Sequence, residues 1–424
     1  MLDDALSQAA RQYWIEGRRI MSEISTAARD VDGRARGSNQ SGLRAHNERA
    51  VLSLIRRNGE MAKADIARRT GLSAQTASVI MRSLEKEELV IRDEPRRGRV
   101  GQPSVPMRLN PNGALSFGLK IGRRSSELVI MDFVGDIRVR RVERYSYPKV
   151  DEIRRFVEET HRELMAEIDP ALRDRITGLG VAMPFELWSW AAEIGAPEEE
   201  MDSWRDFDVE AELSALTGLS VYVANDATGA CAAENVFGGA DCADFVYFFV
   251  GAFAGGGIVI NGDLIPGRLG NAAALGSLPI PRTTGGAGQL IEFASVNKLE
   301  IMIRESGGDT SAIVGNQAAW DDLGDVLEQW IGEAAYGLAY AILSASAVYD
   351  FEQAVIDGAM PRPVLSRLIE ATSERFDKLN HKGLSPVDLR PGSVGPSARV
   401  LGAASLPLFA RFLLDQRVPY AERS

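Results

Sequence analysis

The chain changes character at Pro111, and that break limits what it can fold into. Before it, apolar residues recur at helical spacing. After it, short apolar runs alternate with glycine turns. Charge divides at the same place. A net charge of −11 combines a basic head, with 20 Lys+Arg and 14 Asp+Glu in residues 1–110, and an acidic body with 28 and 45. At 424 residues the chain also exceeds one ordinary core. A small helical module carrying the positive charge, joined to a larger α/β body, satisfies both observations. Only the head is suited to meet a polyanion.

Other classes are excluded by what is missing. The opening "MLDDALSQAARQYW" is acidic and has no apolar centre, so no signal peptide is expected. The longest uncharged stretches, Ala334–Tyr349 and Phe245–Asn261, are too short to span a bilayer and read as buried elements, so no membrane partner is expected. Cys231 and Cys242 are the only cysteines, too few for a disulfide framework or a four-thiolate zinc site. They read as buried thiols, and a cytoplasmic location follows.

Within the head, residues 4–28 have helical spacing. Residues 30–42 are a Gly/Ser-rich linker or arm, whose Arg34 and Arg36 suit a minor groove as well as a solvated tether. Three helices follow, over 44–58, 63–69 and from Ser73 onward. In the second, Ala64, Ile66 and Ala67 are expected inward. Gly71 permits the positive φ of a tight turn, Leu72 plugs the corner and Ser73 caps the third helix. Ala77, Ile80, Met81 and Leu84 form the third helix's inner face, leaving Gln75, Thr76, Ser78, Val79 and Arg82 outward. Small and amide side chains approach base edges, and an Arg reaches phosphate or guanine. A strand begins at Leu89, and "RDEPRRGRVGQPSVPMRLNP" places Arg96, Arg97 and Arg99 around a glycine turn. Together these make a winged helix-turn-helix for double-stranded operator DNA, with Lys63, Ser73, Gln75, Thr76, Ser78, Arg82, Arg96, Arg97 and Arg99 as the contact residues. The competing reading is a helical corner in a larger fold.

The body offers strands at "ALSFGLKIG", "SSELVIMDFVGDI" and "RITGLGVAMP". "LSVYVANDATGACAAENVFGG" is a strand ending in Asn225-Asp226 and an Ala-rich helix. "DFVYFFVGAFAGGGIVINGDLIPG" is two strands joined by a Gly-rich turn, "QAVIDGAM" a strand and turn, and "GPSARVLGAASL" a helix start. In these segments the chain resembles the ROK family of repressors and sugar kinases over residues 44 to about 410. The resemblance implies a ribonuclease-H-like (actin/hexokinase) body, two α/β lobes with a sugar cleft between them. It also implies that Asn225 and Asp226 bind sugar, and that Asp226 stands where the kinases hold their catalytic base. A carboxylate beside an amide suits neighbouring hydroxyls, and the pair also suits a helix cap.

The departures from the family carry the chemistry. Its kinases open on an Asp-x-Gly-Gly-Thr phosphate loop. Here "LKIGRRSS" puts Lys120 near the Asp and Arg123-Arg124-Ser125 after Gly122, losing the close backbone approach to phosphate. Phe253 stands where the second loop prefers a small residue. The family's zinc ligands are replaced by Ser277, Arg282, Thr284 and Gln289, with Ala274 in place of a nearby Glu. His46, His161 and His381 lie elsewhere, so no metal is expected. By resemblance Glu292 neighbours a second sugar-contacting Glu, with Asn271, Ser277 and Arg268 as further candidates. In "PFELWSWAAE", Phe185, Trp188 and Trp190 suit either a sugar face or an interface.

The expectation is a sugar-responsive transcriptional regulator, a repressor without cofactor or catalysis, acting as a dimer or tetramer on DNA under a sugar or sugar-phosphate effector. Its parts are a helix and linker (1–42), the winged helix-turn-helix (43–112) and the two-lobed body (113–424). The alternatives are an ATP-dependent sugar kinase with a DNA-binding head, and a regulator controlled by a protein partner without a sugar.

Overall fold

The computed structural model describes residues 39–94, 105–184, 186–239, 242–268, 270–313 and 318–413. The expected helix over 4–28, the arm with Arg34 and Arg36, the wing arginines Arg96, Arg97 and Arg99, and Phe185 lie outside these residues.

The head contains helices α1 (Asn39–Asn58), α2 (Lys63–Thr70) and α3 (Ala74–Lys86), and an antiparallel ribbon of β1 (Val90–Arg92) and β2 (Met107–Leu109). Helix α1 begins within the segment read as linker, so the boundary expected at residue 42 falls inside a helix. Gly71 has φ 69°, the conformation the tight turn demands. Ser73 caps α3 by accepting from the Thr76 N–H. Ala77, Ile80, Met81 and Leu84 are buried, and Met61 joins Met107 through two backbone hydrogen bonds. Ala64 departs from its expected inward place. It is exposed, and Ile66 and Ala67 alone fill the inner face of the short α2.

The first lobe is a five-stranded sheet in the order β5-β4-β3-β6-β7, from β3 (Leu115–Ile121), β4 (Ser125–Asp132), β5 (Ile137–Arg144), β6 (Ile176–Met183) and β7 (Val221–Asn225). Helices α4 (Val150–Glu167) and α5 (Val209–Thr217) belong to it. Helix α6 (Asp226–Phe237) leaves β7 for the second lobe. That lobe's sheet runs β10-β9-β8-β13-β14, from β8 (Phe245–Val250), β9 (Ala254–Ile260), β10 (Asp263–Leu264), β13 (Gln353–Gly358) and β14 (Asp388–Pro391). A ribbon of β11 (Pro279–Pro281) and β12 (Ala287–Gln289) and helices α7 (Val296–Glu305), α8 (Gly324–Ser346) and α9 (Arg362–Asp377) complete it. The chain then returns as α10 (Ala398–Phe412), which packs on the first sheet. Both sheets repeat one pattern, an antiparallel meander followed by two parallel strands.

Glycines set how closely the lobes approach. A Cβ on Gly402 of α10 would meet the Gly229 carbonyl of α6 at 2.0 Å, and one on Gly180 of β6 would meet the Ala403 carbonyl at 1.8 Å. The glycines read as the β8–β9 turn lie elsewhere. The turn is Gly251-Ala252-Phe253, and Gly255, Gly256 and Gly257 lie inside β9. There a Cβ at Gly255 would strike Ala227, and one at Gly257 would strike Cys231, so their smallness lets α6 lie flush on the strand.

The head packs on the first lobe. Val51, Leu52, Ile55 and Leu84 share one apolar cluster with Val129, Met131, Phe133, Val400 and Leu408. Arg175 donates to the Glu87 carbonyl, and Arg49 to that of Ala410. Gly402→Ala is expected to lower unfolding stability by about 1–3 kcal/mol through overpacking, read as a shifted urea midpoint.

Candidate functional site

On the head, Ser73, Gln75, Thr76, Val79 and Arg82 are exposed, while Lys63 and Ser78 are half-buried. The Ser73 and Thr76 hydroxyls lie 2.8 Å apart, and Arg82 Nε donates to the Ser78 carbonyl at 3.2 Å. Gln75 and Val79 therefore present the least engaged side chains, an amide and an isopropyl, at one turn's spacing. That pair suits an adenine edge and a thymine methyl.

The second site is a cavity of about 330 Å³ between the lobes. The Gly122-Arg123 turn after β3, Pro184 after β6, the end of β7, the start of β9 and residues 271–277 converge on it. Carboxyl ends of parallel strands β6 and β7 supply part of its wall, the usual ligand position in such sheets. Asn225 Oδ1 accepts from the Ala227 and Thr228 N–H groups at 3.0 and 3.3 Å, so it caps α6 while lining the cavity. Asp226 follows, held by the guanidinium of Arg399 at 3.3 Å, with side chains only 17% and 15% exposed. Arg399 also lies over the Phe249 ring at 5.0 Å. A carboxylate paired through one oxygen to a guanidinium keeps further lone pairs to accept hydrogen bonds.

The opposite wall is aromatic. Trp190 and Phe253 rings meet at 4.5 Å, with the buried Arg123 guanidinium over Phe253 and 5.7 Å from Trp190. Phe253 and Arg123, read from the sequence as departures in the two loops, thus pack on each other. Asn271 and Ser277 are exposed and line the cavity. Arg124 turns away from the cavity and bridges the lobes to Glu300 of α7 at 3.7 Å. Lys120 is buried behind Gly122 and donates to Ser125 Oγ at 2.9 Å. Burial first, and then the Arg399 cation, bring its ammonium down to about 7.

Three candidates lie outside this cavity. Glu292 pairs with Arg282 and accepts from the Gln289 N–H, so its carboxylate belongs to the β11–β12 ribbon; its neighbour Ile291 lines the cavity instead. Trp188 packs against the first lobe's core, and Arg268 is exposed away from the lining. Conversely, Glu186, Ser189, Thr228 and Arg399 line the cavity without having been selected from the sequence. Arg399 had a signal. It is a long cation in the otherwise small-residue start "GPSARVLGAA". Among the described residues no group of His, Cys, Asp or Glu is placed to hold a metal ion, and no helix is long and apolar enough to cross a membrane.

Because the Lys120 ammonium ionises near pH 7 in the folded chain and near 10.5 unfolded, the unfolded state binds the extra proton between those values. Folding stability falls as pH drops from 10.5 to 7. Lys120→Met should therefore raise the melting temperature at pH 7, and the gain should shrink toward pH 10.

Comparison with known proteins agrees with this architecture. A winged helix-turn-helix DNA-binding family model matches residues 44–91. The xylose repressor of Bacillus subtilis is 23% identical over 382 residues, covering 87% of this chain and 96% of that protein. The solved structure of a ROK family transcriptional regulator, described as a homolog of the Escherichia coli MLC protein, superposes with a TM-score of 0.62 at 20% identity, covering 87% of this chain and 97% of that one. A ROK family glucokinase from Streptomyces griseus, solved with glucose and AMPPNP, superposes with a TM-score of 0.54 at 19% identity over 69% of this chain and 99% of that one. With the ROK family model matching residues 116–408, the chain belongs to the ROK family.

Proposed function

We propose that this protein is a sugar-responsive transcriptional repressor. Residues 43–112 form the DNA-binding head, and the body from 113 onward is a non-catalytic sensor. The observation that carries the reading is the Asp226–Arg399 ion pair inside a cavity that keeps Asn225. It preserves a polar surface for hydroxyls and engages one oxygen of the Asp226 carboxylate with a cation. Arg123 over Phe253 fills the place of a small-residue phosphate loop, which further supports a site that binds without transferring phosphate.

Asn225, Asp226, Asn271 and Ser277 are the polar contacts for a sugar or sugar phosphate, with Trp190 as the apolar face. Glu292 is not among them. Gln75, Thr76, Ser78 and Arg82 read the major groove, and Lys63, Ser73 and the wing arginines contact the backbone. Two heads of a dimer, alone or within a tetramer, address an inverted repeat, and the effector acts by favouring a cleft geometry that misaligns them.

The test is a titration of the protein onto operator DNA selected from a random-sequence pool, at fixed salt, with xylose and a panel of other neutral and phosphorylated monosaccharides. One sugar is expected to weaken selective binding. Asp226→Asn should raise the sugar concentration needed by roughly 10- to 100-fold, the value of a hydrogen bond to a charged group. Gln75→Ala should relax base preference at one position of each half-site, costing about 1–3 kcal/mol. ATP-dependent phosphorylation of the active sugar would establish the kinase alternative. Selective binding that no sugar alters would favour control by a protein partner.

A further inference from the structure

Helix α6 has one end in the sugar cavity and the other under the DNA-binding head. Its first residue is Asp226, held by Arg399. Its last is Phe237, at the far end of the 12-residue helix and about 16 Å away. The Phe237 ring is pressed so closely on the β4–β5 turn that a Cβ at Gly135 would come within 2.0 Å of it. Over the ring, at 4.6 Å, lies the guanidinium of Arg56 from the last turn of α1.

Arg56 is poorly satisfied for a guanidinium in that position. Its Nη1 donates a long 3.4 Å bond to the Phe133 carbonyl. Its Nε and Nη2 are screened from solvent and have no hydrogen-bond partner among the described residues. Such donors cost free energy wherever they are buried. A small displacement of the ring beneath them therefore changes the energy of the head's docking. The next residue, Arg57, extends toward the second lobe, with Nη2 3.8 Å from where a Cβ at Gly262 would stand.

The surroundings of α6 connect it to both lobes. On one side it lies flush on β9 of the second lobe, through Ala227 against Gly255 and Cys231 against Gly257. On the other it crosses α10 at Gly229 and Gly402, where Asp226 pairs with Arg399 and Ala230, Cys231 and Ala233 share a cluster with Ala398. The helix thus touches both lobes along its length, while the head shares its apolar cluster with the first.

We propose that α6 is the rod that transmits cleft occupancy to the head, with Phe237 and Arg56 as the joint between them. The proposal rests on the repressor reading for its two end states, but its test needs no effector. Operator affinity is measured on the full chain for Arg399→Ala, Phe237→Leu and the double variant, using operator DNA selected in vitro. Sites this far apart act independently unless something links them. The expected result is a departure from multiplicative single effects by about 5-fold or more. Arg56→Met in place of Phe237→Leu should give the same coupling. It keeps the apolar stem and removes the unsatisfied donors, so it guards against loss of fold at Phe237. Melting curves confirm that each variant is folded. Single effects that multiply to within about twofold in both cycles would overturn the rod. Failure of the selection to yield any preferred sequence would instead overturn the DNA-binding reading. Coupling without any active sugar would keep the rod and overturn the sugar as its input.

Discussion

Backbone contact between α6 and α10, at Gly229 and Gly402, sets the spacing of the whole body. The two sheets never share a strand. What joins them is a helix wedged between β9 and α10, and its tightest backbone approaches to both are made at glycines. A single added methyl at these positions has nowhere to go, because the opposing atom is a carbonyl or a Cβ rather than the end of a flexible side chain. The glycine-rich character of β9 and the Ala-rich character of α6 are two halves of one steric requirement.

This wedge also orders the chemistry. Asn225 ends β7 and caps α6, so the residue that turns the chain out of the first sheet is also the one that faces the cavity. Asp226 is fixed by Arg399, which arrives from 173 residues later on the helix that packs across α6. The cavity is therefore assembled by the same two helices that hold the lobes together. At the Gly122-Arg123 turn the cavity wall is a stacked arginine and two aromatic rings.

Local signals in the sequence were reliable where one residue answers to its immediate neighbours. Gly71 turns, Ser73 caps and Asn225 caps because backbone conformation and a nearby N–H decide them. The periodicity of α3 put Ala77, Ile80, Met81 and Leu84 inside for the same reason. Residues answering to distant partners were not legible. Glu292 carried the right chemistry for a hydroxyl, but Arg282 across the ribbon claims it. The triple glycine of β9 read as a turn because nothing in its own segment announces the helix lying on it. Arg399 became a site residue only when α10 folded back across the start of α6, 173 residues earlier.

The bridge between Arg124 and Glu300 joins the two lobes, with one partner partly exposed and the other nearly buried. Dissolved salt weakens such a pair. It also weakens contacts between a basic head and phosphates. Ionic strength thus acts on this protein in two places at once, loosening the clasp of the body while loosening the grip of the head. The slope of operator affinity against salt concentration consequently measures more than the number of phosphates contacted. Part of it reports how readily the body itself opens.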